Sequence, residues 1–317
     1  MKICIISFDH WHYDSHISKA LEKKGIQSYH INTGNFKYFY SNFFQRIFNF
    51  FQKLIFNRNI KKIKQYEFII NELKKIGSQD KILVINPDLI PLSIHYQIKQ
   101  FTPNYIAYLY DSSKRYKIDH LLENVFDTIF SFDDEDVKKF GFIPLSNYIY
   151  HDKKKLKTKE KFQFSVFIIL SIDERLEFLN KISLALDNME ISYKFILVGS
   201  KKPTSLNPNI TFQKNILSLV EVNHYLEKSE IFLDLVRNNQ TGLSFRVFES
   251  LAYQKKLITT NKFIKNYSFY NPNNILVIDN INFEFNPDFF RTSYEPLSEE
   301  IYNFYTIENW VLRIFNL

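Results

Sequence analysis

The chain alternates short apolar or β-branched runs with segments of helical periodicity, and this alternation occurs twice. Strands that alternate with helices are typical of a parallel sheet covered by helices. The predicted strands of the first half are Lys2–Phe8, Ile26–Ile31, Lys81–Ile85, Tyr105–Leu109 and Thr128–Phe132. Those of the second half are Phe164–Leu170, Tyr193–Val198, Ile231–Leu235, Lys256–Thr260 and Ile275–Ile278. The pattern predicts an α/β fold of two doubly wound, Rossmann-like domains that face a cleft.

A highly charged stretch without apolar periodicity separates the two halves. We predict a linker over residues 151–161, a first domain over 1–150 and a second over 162–296. The 317 residues are enough for each domain to bury its own core. The predicted helices of the second half are Asp173–Asn188, Leu217–Lys228 and Ser244–Tyr253, and Glu299–Phe315 is predicted to form closing helices. These C-terminal helices occupy 297–317, and a return to the first domain is one alternative for this segment.

Charge and cysteine content restrict the classes of partner and compartment. Lys and Arg number 41 against 34 acids, and the formal charge of +7 suits nucleotide diphosphates, anionic lipid or nucleic acid. The lysines of 153–161 are better explained as a solvated linker, so we expect no nucleic-acid partner. The one cysteine, Cys4, lies in an apolar run and cannot form an internal disulfide. Because the sequence has neither a signal-peptide pattern nor a run of 18 apolar residues, we expect a cytoplasmic protein.

One segment departs from the α/β alternation. Residues Tyr38–Lys64 are predicted to form one long helix with a wide apolar face, formed by Phe44, Ile47, Phe48, Phe51, Leu54 and Ile55. Its basic residues are Arg46, Lys53, Arg58, Lys61, Lys62 and Lys64. One interpretation is an ordinary helix that packs on the core. The other is a membrane-surface helix that contacts anionic lipid at the inner face of the plasma membrane.

The most informative stretch runs from Asn239 to Ala252, with the sequence NQTGLSFRVFESLA. A polar loop turns at Gly242, and a helix is predicted to start after Ser244 as N-cap. Backbone N–H groups at such a helix start can hold an anion. On the helix, Glu249 could accept hydrogen bonds from the vicinal hydroxyls of a ribose. The alternative is a solvent-exposed Arg246–Glu249 pair at i, i+3, which contributes only tenths of a kcal/mol.

This stretch resembles the donor-binding signature of GT-B glycosyltransferases, in which a loop of small residues leads to a helix that bears a glutamate. In the family an apolar Leu-Ala pair and a strand follow, and Lys255–Asn261 resembles that strand. Three further segments resemble bacterial transferases that build lipopolysaccharide or capsule, namely Tyr108–Ser112, Phe130–Asp133 and Asn271–Asn274. The likeness covers most of the chain, although each motif is short.

The resemblance implies a role for each matching position. Glu249 would bind the ribose, and the loop before its helix would face the diphosphate or the donor sugar. Basic groups after the first two strands of the second domain would neutralise diphosphate charge as the sugar leaves. The predicted donor-binding set is Ser171, Arg175, Lys201, Lys202, Gln240, Thr241, Gly242, Leu243, Ser244, Arg246 and Glu249.

The resemblance also implies an activity: transfer of a sugar from a nucleotide-diphosphate donor, with UDP as the expected nucleotide. The first domain would bind the acceptor, a lipopolysaccharide, capsule or lipid-linked glycan, and neither a metal nor another cofactor would be required. Two positions depart from the family pattern. Thr241 stands where retaining members carry a second glutamate, and Ser171 follows Leu170 where a glycine is usual. The donor sugar and the stereochemical outcome therefore stay open.

Catalytic candidates follow the first strand, because strand ends of open α/β sheets face the ligand crevice. Asp9, His10, His12 or Asp14 could orient an acceptor hydroxyl or act as general base, and Asp111 after another strand is a further candidate. The alternative is structural, with Asp9 or Asp14 capping a helix and the histidines on the surface.

Three rival interpretations remain. The His-x-His pair at 10 and 12 resembles the metal ligands of amidohydrolase barrels, which need further ligands after later strands. Asp134-Glu135-Asp136 matches the Asp-x-Asp of metal-dependent GT-A transferases, although acids in a first helical turn explain it more simply. The two departures from the family pattern also allow a degenerate transferase that serves as a nucleotide-binding scaffold.

Overall fold

The protein is described by a computed structural model that covers residues 1–9, 12–56, 58–156, 162–238, 240–279 and 283–317. The chain divides into two compact units. The first unit is 1–145 with 311–317, and the second is 146–310. Residues 146–150 therefore belong to the second unit, and only the end of the closing segment 297–317 belongs to the first. Residues 157–161 of the predicted linker lie outside the described residues.

The first unit contains a six-stranded parallel sheet in the order β2-β1-β3-β4-β5-β6. Its strands are β1 (Lys2–Ser7), β2 (Gln27–Asn32), β3 (Lys81–Ile85), β4 (Tyr105–Leu109), β5 (Thr128–Ser131) and β6 (Ile143–Pro144). Its helices are α1 (Ser15–Lys23), α2 (Phe43–Phe56), α3 (Ile60–Ile76), α4 (Leu92–Lys99) and α5 (Asp134–Phe140). The strand order reverses between β1 and β3, and the ends of these two strands form the switch point of the sheet.

The second unit repeats this plan with the order β12-β11-β10-β7-β8-β9. Its strands are β7 (Phe164–Ser171), β8 (Tyr193–Val198), β9 (Thr211–Gln213), β10 (Ser229–Asp234), β11 (Lys256–Thr259) and β12 (Ile275–Val277). Its helices are α6 (Leu176–Asn188), α7 (Leu219–Lys228), α8 (Phe245–Tyr253), α9 (Pro287–Arg291) and α10 (Glu299–Phe304), followed by α11 (Ile307–Phe315), which ends in the first unit. Here the switch point lies between β7 and β10.

The cores explain why these strands form. Strand residues of the second sheet alternate between two apolar clusters, one with Phe167, Phe232 and Phe248 and the other with Val166 and Leu179. A sheet with apolar clusters on both faces is buried between helices, as expected for near-continuous apolar runs. In the first sheet, Cys4 is fully buried in β1, and burial raises the pKa of its thiol. The predicted doubly wound α/β fold is thus confirmed.

The closing helices predicted over Glu299–Phe315 are confirmed as α10 and α11. They are separated at Tyr305–Thr306, where the chain pairs with residue 149. The backbone N–H of Ile149 donates to the carbonyl of Tyr305 at 2.8 Å, and the N–H of Ile307 donates to the carbonyl of Ile149 at 2.9 Å. These bonds satisfy backbone groups that an unbroken helix would have used itself.

The predicted single helix over Tyr38–Lys64 is wrong, because α2 ends at Phe56 and α3 begins at Ile60. Asn59 caps α3 by accepting from the N–H of Lys61 at 3.1 Å. The N–H of Ile60 donates to the Asn49 side chain on α2 at 2.8 Å, which ties the start of α3 to α2. No helix in the described ranges is long and apolar enough to cross a membrane.

Candidate functional site

A polar loop leads from β10 to α8 at the carboxyl edge of the second sheet, and one buried amide holds it in place. Asn261, which follows β11, donates from Nδ2 to the carbonyls of Thr241 at 3.0 Å and Gly242 at 3.2 Å. Gln240 donates from its own side chain to the Gly242 carbonyl at 3.1 Å. Asn261 is 1% exposed, so these bonds are shielded from water. The loop is therefore a fixed structure before any ligand arrives.

Ser244 stands at the N-cap position of α8, as predicted, but its side chain does not cap the helix. Its hydroxyl donates instead to Oδ1 of Asp234 at 2.7 Å, and the hydroxyl of Thr259 donates to Oδ2 at 2.8 Å. Asp234 is buried at the end of β10, and burial raises its pKa despite these two hydrogen bonds. The Ser244 side chain therefore does not accept a hydrogen bond from the first turn of α8. This suits a helix start whose backbone N–H groups bind an anion.

Sequence reasoning missed both Asp234 and Asn261 as parts of this site. Asp234 was hidden inside an apolar strand prediction, Ile231–Leu235. The sequence feature that could have identified Asp234 is a carboxylate at the end of a buried strand, because a buried carboxylate needs hydrogen-bond donors nearby. Asn261 gave a weaker signal, as an amide directly after the next strand.

Glu249 on α8 is buried and already has protein partners. Oε1 accepts a hydrogen bond from the hydroxyl of Tyr150 at 2.5 Å, and Oε2 forms an ion pair with Nη1 of Arg246 at 2.7 Å. The carboxylate residue is 3% exposed, and the guanidinium lies over the rings of Phe167 and Phe232. The alternative of a solvent-exposed Arg246–Glu249 pair is therefore wrong. A carboxylate has about four lone-pair sites, so Glu249 retains capacity for a further donor.

Aromatic rings surround this carboxylate. The ring of Tyr150 lies against His151, with centroids 4.2 Å apart, and meets Phe245 edge-on at 5.8 Å. His151 in turn meets Tyr253 edge-on at 5.3 Å. Burial, with a smaller contribution from nearby Lys154, lowers the pKa of His151 to about 4. His151 is therefore neutral at physiological pH.

Arg175 lies at the switch point and is engaged by neighbouring groups. Its guanidinium binds both carboxylate oxygens of Asp173, at 2.9 and 2.5 Å, and donates to the carbonyl of Leu235 at 2.8 Å. Arg237 approaches the same carboxylate at 3.4 Å. Burial raises the pKa of Asp173, but the hydrogen bonds and charges of the two arginines outweigh it, so the net pKa is lowered.

The remaining predicted donor residues lie along the same edge of the second sheet. Ser171 ends β7 and is exposed. Lys201 and Lys202 follow β8 and are also exposed. Leu243 is fully buried, and its carbonyl accepts from the side chain of Asn147 at 2.9 Å. Leu243 therefore packs in the core and cannot offer its side chain to a ligand, contrary to its place in the predicted set.

In the first unit, Asp9 serves the start of α1. Its carboxylate accepts from the backbone N–H groups of Asp14 at 3.1 Å and Ser15 at 3.0 Å. This is the helix-capping alternative, and it assigns both oxygens of Asp9 to the protein. His12 is exposed with φ 60°, and its carbonyl accepts from the Ser15 hydroxyl at 2.9 Å. His10 lies outside the described residues.

Asp14 is the candidate with the most perturbed environment. It is 2% exposed, and burial together with the charge of Asp9 raises its pKa to about 7, while the Ser7 hydroxyl opposes the shift. Ser7 also bonds to Nε2 of His30 at 2.9 Å, and burial lowers the pKa of His30. Burial, with Asp14 as the next cause, raises the pKa of Tyr110. A carboxyl group with a pKa near 7 is suited to accept a proton at neutral pH.

Asp111 is committed to an ion pair. Nη1 of Arg115 lies 3.0 and 3.1 Å from its two oxygens. The pair joins positions i and i+4 and is partly exposed, so it is a weak interaction that a ligand could replace. The structure therefore places Asp111 at the end of β4 as expected, but beside a cation.

The acids at 134–136 serve the helix that they begin. They form the first turn of α5, and Asp133 caps this turn by accepting from the N–H groups of Glu135 and Asp136. Asp136 accepts from the backbone N–H of Ser113 at 2.8 Å. Across the ranges that the structure describes, no group of three or more His, Cys, Asp or Glu residues could hold a metal ion.

With the two sheets and both switch points defined, the chain has a GT-B glycosyltransferase-like fold. Solved structures with the same fold include the UDP-GlcNAc 2-epimerase of Neisseria meningitidis bound to UDP-GlcNAc, at 12% identity and a TM-score of 0.53 over 100% of this chain and 99% of that one. The UDP-GlcNAc 2-epimerase of Methanocaldococcus jannaschii is similar at 12% identity and a TM-score of 0.52, over 100% and 99% of the chains. A UDP-forming α,α-trehalose-phosphate synthase from Burkholderia xenovorans aligns at 10% identity and a TM-score of 0.50, over 88% of each chain.

No protein-family model matches the chain, and no curated protein matches it at a significant level. At these identities the structural likeness establishes the fold and leaves the activity to the site itself.

Proposed function

We propose that this protein transfers a sugar from a nucleotide-diphosphate sugar to a surface-glycan acceptor. The observation that carries the proposal is the fixed loop at Thr241–Ser244 with the start of α8, at the switch point of the second sheet. Ligands of open α/β sheets bind outside the carboxyl ends of the strands at this point. A helix start there favours a diphosphate, because its N–H groups and dipole both stabilise negative charge.

Charge on the departing nucleotide diphosphate must be stabilised as the glycosidic bond breaks. In this proposal the start of α8 provides the main stabilisation, and the exposed Lys201 and Lys202 supplement it. Arg175 contributes through the donors that Asp173 and Leu235 leave unused. No step of the proposal needs a metal ion or another cofactor.

The nucleotide is proposed to be UDP, with its ribose bound near Glu249. The epimerase of Neisseria meningitidis, which shares the fold, was solved with UDP-GlcNAc, and this supports UDP as the first nucleotide to test. A ribose hydroxyl would donate to Glu249 beside the hydrogen bond from Tyr150. The ribose can bind without rearrangement of the site only if the Glu249 carboxylate accepts from Tyr150, Arg246 and the ribose hydroxyl at the same time.

The first unit is proposed to supply the base. Burial and the charge of Asp9 raise the pKa of Asp14 to about 7. Above pH 7 this carboxyl group is mostly ionised and can accept a proton from an acceptor hydroxyl. Asp9 holds α1 and raises the pKa of Asp14, so its role is to position and tune the base. The acceptor class, a lipopolysaccharide, capsule or lipid-linked glycan, rests on the resemblance of sequence segments alone.

The test is release of UDP from UDP-linked hexoses and N-acetylhexosamines, with and without a lipid-linked glycan extract, in the presence of EDTA. Ser244→Ala should slow turnover at least tenfold, because it frees Asp234 and disturbs the start of α8. Ser218→Ala is the matched control, since Ser218 caps α7 through a box with Glu221. Conversion of UDP-GlcNAc to an epimer without release of UDP would contradict the proposal.

A second candidate function is a nucleotide-binding scaffold without turnover. The observation that favours it is that Glu249 is buried and already paired with Tyr150 and Arg246. Saturable UDP binding with no sugar consumed in the presence of acceptor would support the scaffold. Acceptor-dependent release of UDP would exclude it.

A further inference from the structure

Helix α2 presents its apolar side to solvent. Phe44 is 78% exposed and Leu54 is 70% exposed. Together with their neighbours they form what we call the α2 outer face, which consists of Phe43, Phe44, Ile47, Phe48, Phe50, Phe51, Leu54 and Ile55. At about 1.5 Å per residue, the helix extends this face over about 20 Å.

The polar side of the same helix faces the protein. Asn49 is 7% exposed, donates to the hydroxyl of Tyr40 at 2.7 Å and accepts from the N–H of Ile60 at 2.8 Å. Gln45 and Gln52 lie on this side and are half-buried. A surface helix of a soluble protein normally buries its apolar stripe and exposes its polar one. Because the hydrogen bonds of Asn49 fix the opposite orientation, the outward apolar face belongs to the folded unit.

The charged residues on α2 and beside it in the sequence are basic. No Asp or Glu occurs between Glu22 and Glu67 in the sequence. On α2, Arg46 and Lys53 are exposed. Further exposed basic residues flank the helix at Lys37, Arg58, Lys61, Lys62 and Lys64. Lys64 is paired with Glu67 at 2.7 Å, and the other basic residues remain available to a negatively charged surface with an apolar interior.

We propose that α2 lies in the plane of an anionic lipid bilayer, with its outer face inserted below the headgroups. Interfacial helices of this kind bury their apolar side about 5–10 Å into the boundary of headgroups and acyl chains. The basic border would lie at the level of anionic headgroups, where each Lys or Arg adds attraction. A second copy of the chain fits less well, because two such borders would bring like charges together.

The experiment is flotation of the full chain with vesicles of phosphatidylcholine alone or with 30 mol% phosphatidylglycerol. We expect binding to the anionic vesicles and at least tenfold weaker binding to the neutral ones. Phe44→Ser with Leu54→Ser should weaken anionic binding at least tenfold, because two large apolar side chains leave the membrane. Arg46→Gln with Lys53→Gln should weaken it about tenfold at low salt.

The matched control is Leu184→Ser with Val220→Ser, which removes two exposed apolar side chains from α6 and α7 of the second unit. This control should leave vesicle binding unchanged. All variants should keep the wild-type unfolding transition, because every replaced side chain is exposed.

The proposal is overturned if anionic and neutral vesicles bind equally, or if the Phe44 and Leu54 double variant binds like wild type. It is also overturned if the chain ignores vesicles and instead forms a dimer that this double variant dissociates. UDP binding by the same samples separates the two proposals, because loss of vesicle binding with UDP binding intact leaves the sugar-transfer proposal standing.

Discussion

Replacing Asp14 with asparagine tests the environment assigned to the proposed base. Burial and the charge of Asp9 raise the pKa of Asp14 from 3.8 to about 7 in the folded chain. A shift of about three units at about 1.4 kcal/mol per unit corresponds to about 4 kcal/mol. The Asp14→Asn variant keeps the size of the side chain and removes the charge that the site disfavours.

The sign of the effect follows from which state binds more protons. Below pH 3.8 the carboxyl group is protonated in both states, and Asp14 has no charge to bury. Between about pH 4 and pH 7 the unfolded chain loses this proton while the folded chain keeps it, so rising pH destabilises the wild type. Above pH 7 both states are ionised, and the cost stays at its full value.

The assay is urea denaturation of wild type and Asp14→Asn at several pH values from 4.5 to 8.5. The variant should gain about 3 kcal/mol of stability relative to wild type as pH rises across this range, because about 1 kcal/mol of the full cost is already present at pH 4.5, and the gain should level off above pH 7. Glu22→Gln, which removes an exposed carboxylate from α1, is the control for loss of one negative charge. A stability difference between wild type and Asp14→Asn that does not change with pH would contradict the raised pKa of Asp14.

Three further substitutions probe the second unit. Tyr150→Phe should cost about 1.5–3 kcal/mol in urea denaturation, because the carboxylate of Glu249 loses a hydrogen bond while buried; an unchanged midpoint would contradict this. Asn261→Leu should cost about 1–3 kcal/mol and weaken UDP binding measured by calorimetry, since the loop loses its donor; full retention of both properties would count against the fixed loop. Arg175→Gln should raise the pKa of Asp173 in a carboxyl NMR titration. In wild type, ionised Asp173 stabilises the folded state, and this stabilisation is lost as pH falls through the lowered pKa of Asp173. The Arg175→Gln variant should therefore lose less stability at acidic pH. An unchanged pKa of Asp173 in the variant would contradict this prediction.

Regular alternation made the sheets predictable from sequence. Apolar runs such as Lys81–Ile85 and Tyr105–Leu109 match their strands residue for residue. The two-residue strand β6 carries no such run and was missed. Sequence periodicity also joined α2 to α3, because it does not register a break that is accompanied by a tertiary hydrogen bond to Asn49.

The site was predictable in position but not in its internal bonding. The loop at Gly242 and the N-cap at Ser244 follow from local turn and capping preferences. That Glu249 would be buried depends on Tyr150, which is far away in sequence and was assigned to the other domain. Likewise, the partners of Arg175 become neighbours only when β7 and β10 pair, and no local pattern encodes that pairing.

We propose that the loop at Thr241–Ser244 and the start of α8 bind the diphosphate of a sugar nucleotide. The most direct measurement is a thermal-shift titration of wild type and Glu249→Gln with UDP, GDP, CMP, CDP and ADP, each with and without EDTA. A ligand at about 100 times its dissociation constant should add about 2.7 kcal/mol of stability. We expect a shift with UDP that survives EDTA and is much smaller in Glu249→Gln; no shift with any nucleotide, or one that EDTA abolishes, would contradict this diphosphate site.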